Sequence, residues 1–366
     1  MKSMPISVLI KPVSGLCNMR CEYCFYADVS DLRQTKTYER MSIETLETLV
    51  RKALSFADGF CNFSFQGGEP TLAGIEFFKD LIIFQKKYNI KNIKINNAIQ
   101  TNGYAIDEEW AEFFARNNFL VGLSIDGDKE IHDSLRKDAK GRGTYSRAIK
   151  SAAIFDRYSV QYNILCVVNN YTARRPQKIY NALKRFRYLQ FIPCLDRFDG
   201  AKRGYSLDSG RYAVFLKTVF DCYYNDFMSG GYISIRDFDE YIMMLAGKAP
   251  NSCAMKGFCT CYFVVEGDGS VFPCDFYVFE KYKLGNINSG LFEDFINSES
   301  AGNFIEESKS VHEKCMDCRW YDLCGGGCRR YREPFVKNKP GLNIYCSSYK
   351  EFFEYAYSKM LHMFQV

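Results

Sequence analysis

Along the first half of the chain, apolar positions switch between two periods. Runs rich in apolar and β-branched residues at Ser7–Lys11, Asn62–Gln66, Ile93–Gln100, Leu120–Ser124, Val160–Val168 and Leu189–Ile192 read as strands. Between them, apolar residues recur at helical spacing over Ser42–Phe56, Gly74–Lys87, Asp107–Asn117, Thr144–Arg157 and Ala173–Phe186. Ser42 stands where the first helix needs an N-cap. Six strand-then-helix steps predict an α/β fold with a parallel sheet and right-handed crossovers. Six are too few to close an eight-fold barrel, so the pattern predicts an open, partial (β/α)6 barrel of TIM-like kind. Residues 206–245 read as helical and connecting, and Ser348–Phe364 as a closing amphipathic helix.

From Cys253 onward the pattern changes. Nine of the 16 cysteines lie between Cys253 and Cys346, among Gly, Asp and Lys. This predicts a small metal-stapled domain, with one domain over 1–235 and a cysteine-rich one over 236–366. A secreted disulfide scaffold would be short and loop-rich, which this 366-residue chain is not. The apolar run before Cys17 is broken by Lys11 and Pro12, and Leu16 stands where a lipoprotein signal wants a small residue. No run approaches the ~20 apolar residues of a membrane span. A cytoplasmic protein is expected, with no membrane partner. A net charge of +5 is too slight to argue for nucleic acid. The 31 Phe and 26 Tyr suit either aromatic-walled cavities or an aromatic core.

The chemistry-bearing residues fall just after strands, the face where α/β barrels place their sites. Cys17, Cys21 and Cys24 form C-x3-C-x2-C. Three thiolates leave one iron of a four-iron cluster open to another ligand. Structural zinc would need a fourth ligand, and His132, His312 and His362 are distant in sequence. With Tyr23 before the last cysteine, the motif resembles the radical S-adenosylmethionine (SAM) superfamily, whose open iron is chelated by SAM. Gln66-Gly67-Gly68-Glu69-Pro70, about 45 residues on at a strand end, resembles that superfamily's amino-group-binding turn. The resemblance implies that Tyr23, Gly68, Ser124, Arg136 and Leu195 surround SAM. Asp126 fits the same region, and a solvated surface position is the competing reading of Arg136. Reductive cleavage of SAM would then give a 5′-deoxyadenosyl radical able to take hydrogen from an unactivated C–H bond.

The later cysteines run Cys253-x5-Cys259-x14-Cys274, then Cys315-x2-Cys318-x5-Cys324-x3-Cys328 and Cys346. Spacing alone admits zinc or iron. The run resembles the SPASM domain of peptide-modifying radical SAM enzymes, which carries two auxiliary four-iron clusters. That resemblance implies one cluster on Cys253, Cys259, Cys274 and Cys328 and another on Cys315, Cys318, Cys324 and Cys346, hence three [4Fe–4S] clusters in all. Preferring Cys259 to Cys261 rests on the resemblance. Cys61, Cys166, Cys194 and Cys222 read as buried core thiols.

Ser7–Pro12, Phe65–Pro70, Gln100–Gly103, Asn163–Val168, Val271–Tyr277 and Cys324–Arg330 together look like anaerobic sulfatase-maturating enzymes, with Cys274-Asp275-Phe276-Tyr277 the most telling stretch. The resemblance implies oxidation of a cysteine or serine of a sulfatase polypeptide to Cα-formylglycine. Asp275 would be the general base, the last electron would leave through an auxiliary cluster, and Gln66 and Tyr26 would hold the peptide. An electron donor such as ferredoxin or flavodoxin is implied, and a monomer is expected. Two other readings compete. One is a SPASM maturase forming thioether or carbon–carbon links, against which stand the mere 16 residues before Cys17. The other is a zinc-binding interaction protein.

Overall fold

The computed structural model describes residues 4–335 and 339–365. In chain order its strands are β1 (Met4–Ile10), β2 (Ala57–Phe65), β3 (Lys94–Thr101), β4 (Leu120–Ser124), β5 (Gln161–Val168), β6 (Tyr188–Pro193), β7 (Ser234–Ile235), β8 (Phe263–Val265), β9 (Ser270–Phe272) and β10 (Gly285–Asn286). Its α-helices are α1 (Phe25–Leu32), α2 (Ile43–Phe56), α3 (Ile75–Tyr88), α4 (Glu108–Arg116), α5 (Lys129–Leu135), α6 (Tyr145–Arg157), α7 (Pro176–Leu183), α8 (Ser209–Met228), α9 (Arg236–Leu245), α10 (Phe292–Ile296), α11 (Glu299–Lys309), α12 (Tyr321–Cys324) and α13 (Cys346–Gln365). The chain divides into two compact units, and each draws on several stretches of sequence.

The first unit comprises 1–124, 136–162 and 261–304. Its strands run in the order β10-β9-β8-β1-β2-β3-β4. The pairs β1–β2, β2–β3, β3–β4 and β1–β8 are parallel, as crossover helices require, while the short β8–β9 and β9–β10 pairs are antiparallel. Val8, Leu9 and Ile10 of β1 are buried, so the run is apolar on both faces rather than alternating. The Ser42 side chain caps α2 by accepting from Thr45 N, and Asp107 caps α4 by accepting from Trp110 N. Helix α2 buries Leu46, Leu49, Val50, Ala53 and Leu54, the stripe its period implied. An aromatic cluster fills the unit: Phe65–Phe78 (4.9 Å), Phe78–Trp110 (5.4 Å) and Phe114–Phe119 (5.4 Å between centroids). Each such pair adds about 0.5–1.5 kcal/mol beyond area burial.

The second unit comprises 125–135, 163–260 and 305–366. Here β5, β6 and β7 pair in parallel. The closing helix α13 lies against α8, with Phe352 meeting Phe220 and Lys359 paired to Asp221 at 2.5 Å. Several expectations need correction. The helix read over Ala173–Phe186 is α7 flanked by two 3₁₀ turns, because Pro176 cannot continue a helix begun before it and instead starts α7 at its first position. Helices α1 and α5 and the short strands β7 to β10 were not anticipated. Cys61, Cys166 and Cys194 are buried, but Cys222 on α8 is partly exposed. No helix among the described residues is long and apolar enough to cross a membrane.

Candidate active site

The loop after β1 carries Cys17, Cys21 and Cys24, and two neighbouring strand ends shape it. Glu69 N donates to Leu16 O (2.8 Å), locking the glycine turn after β2 onto the residue before Cys17. Gly68 makes that approach possible: its φ is +56°, and a Cβ there would stand 2.1 Å from Leu16 O. Glu69 is buried; it accepts from the Thr71 and Thr101 hydroxyls and from Asn102 N, which ties the ends of β2 and β3 together. The Cys17 sulfur accepts from Met19 N (3.4 Å) and Asn102 Nδ2 (3.7 Å). Burial nevertheless pushes its thiol up to about 11. Arg136 is only 7% exposed, which overturns the reading of it as a solvated surface residue; its Nη1 donates to the Tyr23 hydroxyl at 2.8 Å. Ser124 ends β4 in this unit. Leu195 follows β6 in the second unit, where Asp126 is fully buried and accepts from Val167 N.

Asp275 directly follows Cys274 at the end of β9 and is 3% exposed. Its Oδ2 accepts from the Tyr26 hydroxyl (2.6 Å) and from Gln66 Nε2 (3.3 Å). The three residues expected to form the base and its peptide-holding partners are therefore in contact. Its Oδ1 pairs with Lys11 Nζ at 2.7 Å. Lys11 also meets Glu266 at 3.4 Å, and Glu266 meets Arg33 at 3.0 Å, all of them buried. Burial pulls the Lys11 ammonium down, but Asp275 and Glu266 outweigh it, so its pKa is held above the ordinary value. Burial and the Asp275 charge push the Tyr26 hydroxyl well up, so it stays a donor. Tyr262 bridges sulfur and acid: its hydroxyl lies 3.5 Å from Cys274 Sγ and accepts from Asp275 N at 3.1 Å.

In the second unit the later cysteines fall into two groups. Cys315, Cys318, Cys324 and Cys346 line one cavity, together with Trp320, Tyr321 and Phe353. Burial pushes Cys324 up to about 12, with the other three thiols adding to the rise. Cys328 is raised to about 12 by burial and by Cys253 and Cys259. Cys259 thus stands with Cys253 and Cys328, while Cys261 and Cys274 belong to the first unit. Among the described residues no three His, Cys, Asp or Glu converge on one metal ion. Each thiolate of a four-iron cluster binds a different iron, so its ligands stand further apart than those of a lone ion. Cys324 and Cys328, whose thiolates burial disfavours, are donors that the positively charged iron–sulfur core of such a cluster would suit.

Lys11, Arg33, Glu266 and Tyr262 were missed by the sequence reading. The available signal was a charged residue closing an otherwise buried strand: Lys11 after Val8-Leu9-Ile10, and Glu266 after Phe263-Val264-Val265.

Comparison with known proteins bears on this geometry. Residues 12–183 match the radical SAM superfamily and 256–319 an iron-sulfur cluster-binding domain, SPASM. The chain is 50% identical to a cysteine-type anaerobic sulfatase-maturating enzyme of Clostridium perfringens, over 98% of both chains. It is 32% identical to a serine-type enzyme of Bacteroides thetaiotaomicron, covering 96% of this chain and 89% of that one. It matches the structure of native anSMEcpe with bound AdoMet and Cp18Cys peptide at a TM-score of 0.94 and 49% identity, covering 99% of each chain. The fold is thus a radical SAM domain plus a SPASM domain, and the cofactors are SAM, a [4Fe–4S] cluster and auxiliary iron–sulfur clusters. A buried acid held by Tyr26 and Gln66, on a chain half identical to a cysteine-type enzyme over 98% of its length, leaves one assignment: this protein belongs to the anaerobic sulfatase-maturating enzymes.

Proposed function

We propose that the chain oxidises a cysteine of a sulfatase polypeptide to Cα-formylglycine. The observation that carries this reading is Asp275, buried next to Cys274 and gripped by Tyr26 and Gln66. When bound, SAM and its cluster supply a radical that takes a Cβ hydrogen, and an auxiliary cluster supplies the exit for one electron. Asp275 Oδ2 takes the thiol proton, with Tyr26 and Gln66 orienting it. Loss of hydrogen atom, proton and electron from –CH2–SH leaves a thioaldehyde, which water converts to the aldehyde and hydrogen sulfide. Cys17, Cys21 and Cys24 hold the SAM-binding cluster, and Tyr23, Gly68, Ser124, Arg136 and Leu195 surround SAM. Cys253, Cys259, Cys274 and Cys328 hold one auxiliary cluster, and Cys315, Cys318, Cys324 and Cys346 the other. The functional division falls at 1–235 and 236–366. The protein works as a cytoplasmic monomer fed by a ferredoxin or flavodoxin.

Cysteine is favoured over serine because identity is 50% to the cysteine-type relative and 32% to the serine-type one. Paired peptides differing only in Cys or Ser, incubated with the reconstituted enzyme and read by mass, test the reading. Formylglycine from the Cys peptide, at a rate about tenfold or more above the Ser peptide, is expected; that ratio corresponds to ~1.4 kcal/mol in barrier. A crosslinked peptide without formylglycine would refute it.

A further inference from the structure

The cation that meets the acid has no part in the reading above. Lys11 is 2% exposed, and its stem lies against the glycine turn: a Cβ on Gly67 would stand 2.7 Å from Lys11 Cγ. Its ammonium is 2.7 Å from Asp275 Oδ1, 3.4 Å from Glu266 Oε1 and 4.9 Å from the Tyr26 ring centre. Arg33 closes the set by pairing with Glu266 at 3.0 Å and donating to Ser14 Oγ at 3.0 Å. Two cations and two carboxylates are thus buried together. Such networks are weak devices for stability, because well-packed apolar residues of like volume often serve as well or better. Their cost is warranted where they fix geometry.

The two oxygens of Asp275 are held differently. Oδ1 carries the ion pair, while Oδ2 faces a hydroxyl and an amide. We propose that Lys11 is a positioning residue: by anchoring Oδ1 it turns Oδ2 toward the substrate's side chain, and Glu266 with Arg33 holds Lys11 in place. The inference rests on Asp275 being the acceptor in the proposed oxidation. Proton transfer demands hydrogen-bond reach between acceptor and proton, and an error of about 1 Å costs on the order of a hundredfold. A carboxylate that swings away leaves the adenosyl radical formed but the oxidation incomplete.

The test measures 5′-deoxyadenosine released per formylglycine formed by the reconstituted full-length enzyme with a Cys peptide. Lys11→Met keeps a stem against Gly67 and removes the charge. The double variant Lys11→Met/Glu266→Gln restores charge balance among the buried groups. Both are expected to raise the ratio about tenfold or more. A purely structural role would lower the two products together, and an unchanged ratio would overturn the proposal. So would recovery of the wild-type ratio in the double variant, which would trace the effect to unbalanced charge. If Lys11→Met does not fold, the double variant alone decides. Asp275→Asn is measured in parallel. If it uncouples while the Lys11 variants do not, the Lys11 proposal alone fails; if it stays coupled, the acceptor reading fails with it.

Discussion

Replacing Gly68 by alanine probes the joint between the glycine turn and the cysteine loop. The added Cβ would stand 2.1 Å from Leu16 O, whereas ordinary contact begins near 3.4 Å, so the loop must retreat by the difference, about 1.3 Å. Three costs combine. An alanine at φ +56° in the left-handed region costs about 1–2 kcal/mol. Overpacking against backbone costs about 1–3 kcal/mol. Losing the bond from Glu69 N to Leu16 O costs about 0.5–1.5 kcal/mol. The sum is about 2.5–6.5 kcal/mol. Leu16 precedes Cys17, so a shift of this size should also cut SAM cleavage on the order of a hundredfold. Gly230→Ala is the control: Gly230 ends α8 in the left-handed conformation (φ +77°), with Gly231 N donating to Asp226 O, and has no atom within 4 Å of a built Cβ, so it carries the backbone cost alone. Urea unfolding and 5′-deoxyadenosine release under dithionite read the two effects. If Gly68→Ala unfolds at the Gly230→Ala midpoint, or cleaves SAM at the wild-type rate, the packing argument is wrong.

Two further outcomes are expected. Burial pushes the Asp237 carboxyl on α9 up to about 6 from 3.8. The folded state therefore binds that proton more tightly than the unfolded chain, and Asp237 costs stability progressively as pH rises from about 4 through 6. Asp237→Asn should remove that part of the slope, and equal wild-type and variant slopes of urea midpoint against pH over this range would refute the assignment. Arg330, whose guanidinium lies 3.6 Å from the Phe198 ring centre and donates to Asp196 O at 2.6 Å, grips the loop bearing Leu195. Arg330→Ala should lose about 2 kcal/mol or more and weaken SAM binding several-fold by equilibrium dialysis; unchanged SAM affinity would separate this loop from the cofactor.

The alternation of strands and helices was legible because each element is long enough to show its period. Strands β8, β9 and β10 were not, since two or three residues carry no period, and their pairing depends on β1 far away in sequence. The cysteine motif and the Gly67-Gly68 turn were legible because their chemistry is local. Arg136 was ambiguous because Lys137 and Asp138 beside it look solvated; only the fold shows its contact with Tyr23. Lys11 was read as the residue that breaks an apolar run. Its meaning lies in Asp275 and Glu266, which no local pattern connects to it.

The raised cysteine pKa values bear on the protein's life before iron arrives. Thiolates, not thiols, attack disulfides and are oxidised. Burial and mutual crowding keep Cys17, Cys324 and Cys328 protonated at neutral pH. These three thiols are therefore chemically quiet before any iron binds. The incoming irons must displace those protons, so cluster loading releases acid and proceeds more readily as pH rises.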